Sequence, residues 1–254
     1  DGSGRFSLND KDYMSEHLKG WWYSITAADL NADGKEDYIL GNIGLNNKFH
    51  PSPEKPLKIY ANDYDENGKL DIVFSSYYKG KEVPMRGKEC STQQMPGIEG
   101  KFPSFRDFAN ASLEDVYGKE KLKEGIQFSA NNFHSTILIA KGDSFEHLPL
   151  PNEAQMSALN SCLVEDVDKD GIPDLIIAGN MFQTEFETTR YDASNGQLLK
   201  GKGDGTFEAV PFKQSGFSVP LDVKELTWFN IGNRNIKYIL VTNNDMPIQV
   251  FRTR

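Results

Sequence analysis

The apolar positions of this chain fall in short runs, and an aspartate-rich polar loop directly precedes three of them. These runs lie at residues 38–40, 72–74 and 175–178. They are short, rich in β-branched and aromatic residues and bounded by turn residues, so they predict buried strands rather than helices. Further strands are predicted at residues 57–60, 136–140, 238–241 and 248–251. The sequence therefore predicts a mainly β fold.

This strand pattern is lost between residues 84 and 125. Ser112 and Asp115 have the spacing of a capping box at the start of a helix, and Gly125 is placed to end that helix. Apolar residues at 113, 116, 117 and 122 would form its buried face. We therefore predict a small helical insertion at 84–125 within a single domain that spans residues 1–254.

The three polar loops share one spacing, with side-chain oxygens at positions 1, 3, 5 and 9 and glycine at position 6. Alternate residues of a tight loop can direct their oxygens to one point, and an all-oxygen set selects a hard cation, calcium better than magnesium. The loop is not an EF-hand, because position 12 of the third copy is Ile177 rather than glutamate. The predicted ligands are Asp29, Asn31, Asp33, Lys35 and Asp37; Asp63, Asp65, Asn67, Lys69 and Asp71; and Asp166, Asp168, Asp170, Ile172 and Asp174, where Lys35, Lys69 and Ile172 contribute backbone carbonyls.

Repetition decides between a metal loop and an ordinary acidic turn. A single copy could be a turn without a metal, since aspartate and glycine are common turn residues. Three copies, each ahead of an apolar strand, favour up to three structural Ca²⁺ ions. A fourth copy at 226–241 lacks the carboxylates and has Lys237 in place of the terminal aspartate, so we predict no metal there.

The loop-and-strand unit resembles the FG-GAP/VCBS repeat, the calcium-binding blade of integrin α-chain-like β-propellers. The chain also resembles the C-terminal part of bacterial secreted FG-GAP proteins related to the ASPIC/UnbV group. The resemblance implies a β-propeller, which has seven blades in the integrin-like family. Just over 200 residues lie outside the insertion, enough for about four to five blades of ~40–50 residues, so we expect either a small propeller or a propeller-like arc of a longer secreted protein. The matching segments are residues 29–42, 63–74, 166–180 and 203–207 for the repeat, and 21–22, 90–96, 105–117, 129–132 and 185–192 for the group.

Charge and hydropathy limit the partners that we expect. The chain has 28 basic and 37 acidic residues, a net charge of −9, which argues against a nucleic acid or an anionic membrane as partner. No segment approaches the ~18 apolar residues of a membrane span. Together with the resemblance, this predicts a protein that is secreted, periplasmic or at the cell surface, with an extracellular protein or glycan as partner.

Residues 185–192 contain the densest group of chemically capable side chains outside the loops. Two carboxylates on one face of a strand could carry out acid–base chemistry on a glycoside, or they could be paired with Arg190 on a solvated face. The candidate ligand site consists of Glu185, Glu187, Arg190, Tyr191 and Asp192.

Two functions remain open at the level of sequence, and a third possibility is a scaffold segment whose function lies in a missing N-terminal part. The favoured one is a calcium-stabilised, adhesion-like binding module, because no catalytic motif is recognisable. The alternative is a polysaccharide-active hydrolase or lyase with its acidic site near 185–192. An open arc would also expose sheet edges that could support self-association.

Overall fold

The computed structural model describes residues 4–6, 18–185, 188–232 and 236–253. The described residues form fifteen strands in four antiparallel sheets, with six short α-helices, so the predicted mainly β class is confirmed. The strands are β1 (Ser24–Ala28), β2 (Asp37–Gly41), β3 (Leu57–Asn62), β4 (Asp71–Tyr78), β5 (Lys81–Pro84), β6 (Ile126–Ala130), β7 (Thr136–Lys141), β8 (Ser144–Pro149), β9 (Ser161–Glu165), β10 (Asp174–Ala178), β11 (Gln197–Gly201), β12 (Phe207–Val210), β13 (Val223–Asn230), β14 (Lys237–Asn243) and β15 (Gln249–Arg252). The helices are α1 (Lys88–Gln94), α2 (Gly97–Lys101), α3 (Phe105–Asn110), α4 (Leu113–Tyr117), α5 (Lys119–Glu124) and α6 (Phe212–Ser215).

The chain forms two compact units. The first unit comprises Asp1–Lys48 and His134–Arg254, and the second comprises Phe49–Phe133. Three sheets belong to the first unit, with strand orders β1-β2-β7-β8, β12-β11-β10-β9 and β13-β14-β15. The sheet of the second unit has the order β5-β4-β3-β6.

Strand β10 lies between two hydrophobic cores of the first unit. Successive side chains of a strand point to opposite faces. Leu175 and Ile177 accordingly pack into a core shared with β2, β7 and β11. Ile176 and Ala178 pack into a second core with β13 and β14. Burial on both faces explains why this strand is a continuous apolar run instead of an alternating one.

The second unit combines its sheet with helices α1–α5, which all lie within the 84–125 segment. The predicted capping box at Ser112 and Asp115 is confirmed, with both reciprocal hydrogen bonds present. The prediction of one continuous helix from 113 to 123 is wrong, because Gly118 has a φ of 85° and separates α4 from α5. A residue with positive φ cannot continue a right-handed helix.

One face of the second unit's sheet exposes apolar side chains. Ala61 on β3 is paired with Ile72 on β4 and Ile126 on β6. Ile72, Ile126 and the neighbouring Phe128 are each at least half exposed. Contiguous exposed apolar surface of this kind is uncommon on isolated soluble domains.

Candidate metal sites and polar cleft

The three predicted loops share one hydrogen-bonding frame around the carboxylate at position 1. In the third loop, Asp166 accepts hydrogen bonds from the backbone N–H groups of Asp170 at 3.0 Å and Gly171 at 2.9 Å. The equivalent contacts join Asp29 to Asp33 and Gly34, and Asp63 to Asn67 and Gly68, at 2.8–3.1 Å.

The aspartate at position 9 begins the buried strand and anchors the loop to it. Asp174 accepts a hydrogen bond from the N–H of Val167 at 3.0 Å through Oδ2, and from the N–H of Gly201 at 2.9 Å through Oδ1. Each of these aspartates is almost completely buried, and each receives an N–H from position 2 of its own loop. The other two pairs are Asp37 with Leu30 at 2.9 Å and Asp71 with Tyr64 at 3.1 Å.

The backbone of the three loops is also the same. The glycine at position 6 has a positive φ, which is 87° at Gly171. The residue at position 4 is left-handed as well, although it is never glycine: Ala32, Glu66 and Lys169 have φ values of 59°, 62° and 63°. Non-glycine residues adopt this conformation at an energetic cost, so its recurrence indicates a defined loop structure.

Carboxylate oxygens converge in two of the three loops. Asp63, Asp65 and Asp71 each offer an oxygen within 4.8 Å of the other two. The third loop has the same arrangement, formed by Asp166, Asp168 and Asp174. Both groups could hold a metal ion, and their all-oxygen donors suit a hard divalent cation. The first loop has Asn31 at loop position 3, where the other two loops have Asp65 and Asp168, so only two of its three equivalent side chains are acidic.

A lysine from a neighbouring strand enters the third loop. The Lys200 ammonium on β11 contacts the carboxylates of Asp168 and, at 3.0 Å, Asp170. Hydrogen bonds to Asp168 and Asp170 raise the pKa of Lys200, and the bond from Lys200 lowers the pKa of Asp170. The loop with the most carboxylates therefore has an internal cation that a metal would have to displace. Sequence spacing gave no signal for this contact, because the residues are 32 positions apart.

The fourth copy of the loop places a different charge at the start of its strand. Lys237 begins β14 and forms an ion pair at 2.6 Å with Glu165, the last residue of β9. Residues 233–235 of this copy lie outside the described part of the chain.

Part of the predicted ligand site forms a polar cleft in the first unit. The cleft has a volume of about 320 Å³ and includes Arg190, Tyr191 and Asp192 in its lining. Arg190 lies 4.0 Å from the centre of the Phe182 ring and forms an ion pair with Asp192 at 3.3 Å. Tyr191 is almost completely buried, and this burial raises its pKa.

Glu185, another residue of the predicted site, does not line the cleft but contacts a residue that does. Glu185 accepts a hydrogen bond from the hydroxyl of Thr188 at 2.9 Å, and this hydroxyl also receives one from Lys48 at 3.2 Å. Lys48 and Thr188 line the cleft, and the sequence did not single them out. Glu187 lies outside the described residues.

Comparisons with known proteins do not identify the family of this chain. No protein-family model matches the chain, and no curated protein matches it. The resemblance to FG-GAP/VCBS repeats therefore stays a prediction. Within the described ranges, no helix has the length and apolar character required to cross a membrane.

Proposed function

We propose that the chain is a calcium-stabilised, propeller-like module that binds a protein or a glycan outside the cell or at its surface. The observation that carries the proposal is one loop geometry that recurs three times, each time directly ahead of a strand: a largely buried one after the first and third loops, and one that alternates buried and exposed residues after the second. Backbone N–H groups already surround the carboxylates at positions 1 and 9. Such a preformed frame supports a structural role for the metal, which would neutralise the carboxylates and fix the turn.

The sheets support the propeller-like part of this proposal. Three sheets have four strands and one has three, and all four are antiparallel. Four-stranded antiparallel sheets are the blades of β-propellers. We therefore propose an arc of about four to five FG-GAP-like blades with up to three Ca²⁺ ions.

The polar cleft is the proposed ligand site. Its lining presents the amides of Asn46 and Asn47, the ammonium of Lys48 and the guanidinium of Arg190. Together with the adjacent hydroxyls of Thr188 and Thr189, these groups suit a ligand rich in hydroxyls or carbonyls. A sugar chain or a polar peptide segment has this chemistry.

A binding screen tests the proposal. The full chain would be applied to immobilised glycans and surface proteins, with calcium and with EDTA. We expect a ligand that is retained in calcium, and we expect Arg190→Ala to lose it while Arg106→Ala, an exposed arginine on α3, retains it. Equal binding by both variants, or no retained ligand, would count against the cleft as the site.

The alternative function is a polysaccharide-active enzyme. The observation in its favour is that the cleft lies at the acidic segment, with Asp192 in its lining and Glu185 one hydrogen bond away. Against it, both carboxylates already have partners in Arg190 and Thr188. Polysaccharide turnover that a Glu185→Gln, Asp192→Asn double variant loses at unchanged melting temperature would favour the enzyme.

Self-association is a further part of the proposal. The exposed apolar face around Ile72, Ile126 and Phe128 is suited to pack against another protein surface. Sedimentation velocity at increasing concentration should detect a dimer, and a Phe128→Ser variant should weaken it. A monomer at every concentration would remove self-association from the account.

A further inference from the structure

A second cleft lies in the other unit, next to the second metal loop. Its volume is about 620 Å³, which is within the usual range for small-molecule sites. One wall comes from Tyr64 and Asp65 of the loop, and the other walls come from α2, α4 and α5. The sequence gave no signal for this cleft, because the loop that forms one wall lies more than 30 residues before the helices that form the others.

The floor of this cleft is apolar. Met95, Ile98, Val116 and Tyr117 line it and also belong to the hydrophobic core of the second unit. These residues are held in place by the core behind them, so the floor is preformed. An occupant therefore needs an apolar body.

The rim of the cleft is mainly cationic. Three lysines, Lys101, Lys119 and Lys121, line it with two acids, Asp65 and Glu120, and Lys121 is also paired with Glu66 at 2.8 Å. Lys121 also donates a hydrogen bond to the backbone carbonyl of Tyr64 at 2.8 Å, which holds its ammonium beside the loop. Lys101 and Lys119 form no ion pair among the described residues, so these two ammonium groups are complementary to an anionic head group.

We propose that this cleft binds a small amphipathic carboxylate, with its apolar body on the floor and its carboxylate at the lysine rim. The cleft is independent of the polar cleft at Arg190, and binding there does not require the proposed binding function.

Carboxylate binding in this cleft should depend on calcium in the second loop, and this one expectation rests on the proposed function. Asp65 is both a wall of the cleft and a member of the carboxylate group of the second loop. A calcium ion there would offset the charge of Asp65 and so reduce the negative charge beside Lys101 and Lys119. Calcium should therefore strengthen carboxylate binding, and by linkage the carboxylate should strengthen calcium binding by the same factor.

Two glycines of α2 give a matched pair of variants for the test. Gly97 lines the cleft and Gly100 does not. A Cβ atom added at either position meets no atom within 4 Å, and neither residue has a positive φ, so both variants should fold. Lys119→Glu and Lys79→Glu form a second pair, since Lys119 lines this cleft and Lys79, an exposed lysine of the same unit between β4 and β5, does not.

Calorimetric titration of the full chain with sodium octanoate, with 1-octanol as the neutral control, is the experiment. We expect octanoate to bind more tightly than octanol, and we expect Gly97→Phe and Lys119→Glu to weaken it by roughly tenfold. Gly100→Phe and Lys79→Glu should bind like the wild type. Absent octanoate binding, equal binding of octanol, or equal binding by both members of each pair would overturn the proposal. If this pattern appears but calcium does not change the affinity, the cleft stands and the proposed metal role in the second loop fails.

Discussion

Asp174 contributes to the fold and to the candidate metal site at the same time. Its two oxygens accept N–H groups from Val167 and Gly201, which join the loop to the neighbouring strand. A buried carboxylate needs such partners because its desolvation is costly. One of its oxygens also lies within 4.8 Å of carboxylate oxygens of Asp166 and Asp168. The same side chain therefore connects strand packing to cation binding.

Lys200 should compete with calcium in the third loop. Its ammonium contacts Asp168 and Asp170, so a metal must displace it before it can use those oxygens. Lys200→Met should raise the calcium affinity of this loop severalfold, as measured by calorimetric titration. Lys202→Met is the control, because Lys202 pairs with Glu208 instead of with the loop. An unchanged affinity in Lys200→Met would contradict the competition.

Tyr64 carries a buried hydroxyl without a hydrogen-bond partner among the described residues. Such a group costs about 1–3 kcal/mol, so Tyr64→Phe should leave the free energy of unfolding unchanged or raise it by up to about 1 kcal/mol. Tyr60→Phe is the matched control in the same core, because the Tyr60 hydroxyl donates to Glu82 at 2.9 Å. It should lower the free energy of unfolding by roughly 1–2 kcal/mol in urea denaturation. Equal losses in the two variants would refute this difference.

At the scale of elements, local patterns predicted the loops and strands well. The spacing of Asp166, Asp168 and Asp174 and the apolar run after it were sufficient to predict the third loop and its strand, because both are determined by residues that are neighbours in sequence. Long-range contacts were not predictable. The contact of Lys200 with the third loop depends on the pairing of β10 with β11. The end of α4 at Gly118 depends on a backbone conformation that glycine permits but does not require.

Strands β3, β4 and β5 hold a charged group whose contribution depends on pH. Glu82 accepts hydrogen bonds from Ser75 at 2.6 Å, Lys58 at 3.0 Å and Tyr60 at 2.9 Å. Burial alone would raise the pKa of Glu82, but these bonds outweigh it and hold the pKa below its ordinary value of 4.5. A lowered folded-state pKa gives stability that is present above the unfolded-state value and is lost as the pH falls through the folded-state value.

The Glu82→Gln variant tests this pH dependence. At about pH 7 it should lower the free energy of unfolding by roughly 1–2 kcal/mol relative to the wild type. The difference should shrink as the pH falls below 4.5 and through the lowered folded-state pKa, where the wild-type carboxylate also becomes neutral. Glu208→Gln on β12 serves as an exposed control with little effect at either pH. A difference of the same size at both pH values would contradict the assignment.

At the scale of the whole molecule, each compact unit carries one of the two carboxylate groups. The Asp63 group belongs to the second unit and the Asp166 group to the first. Calcium should therefore stabilise both units, each through its own loop. Any calcium ion bound in the first loop would add to the stability of the first unit.

Differential scanning calorimetry with calcium and with EDTA tests the central claim most directly. A site filled at about 100 times its dissociation constant adds about 2.7 kcal/mol, which corresponds to a rise of roughly 5–10 °C in melting temperature. We expect EDTA to lower the melting temperature and calcium to restore it. An Asp65→Ala, Asp168→Ala double variant, which removes two exposed carboxylates, should lose most of the response. A wild-type chain that melts at the same temperature under both conditions, with no calcium found by elemental analysis, would contradict the account.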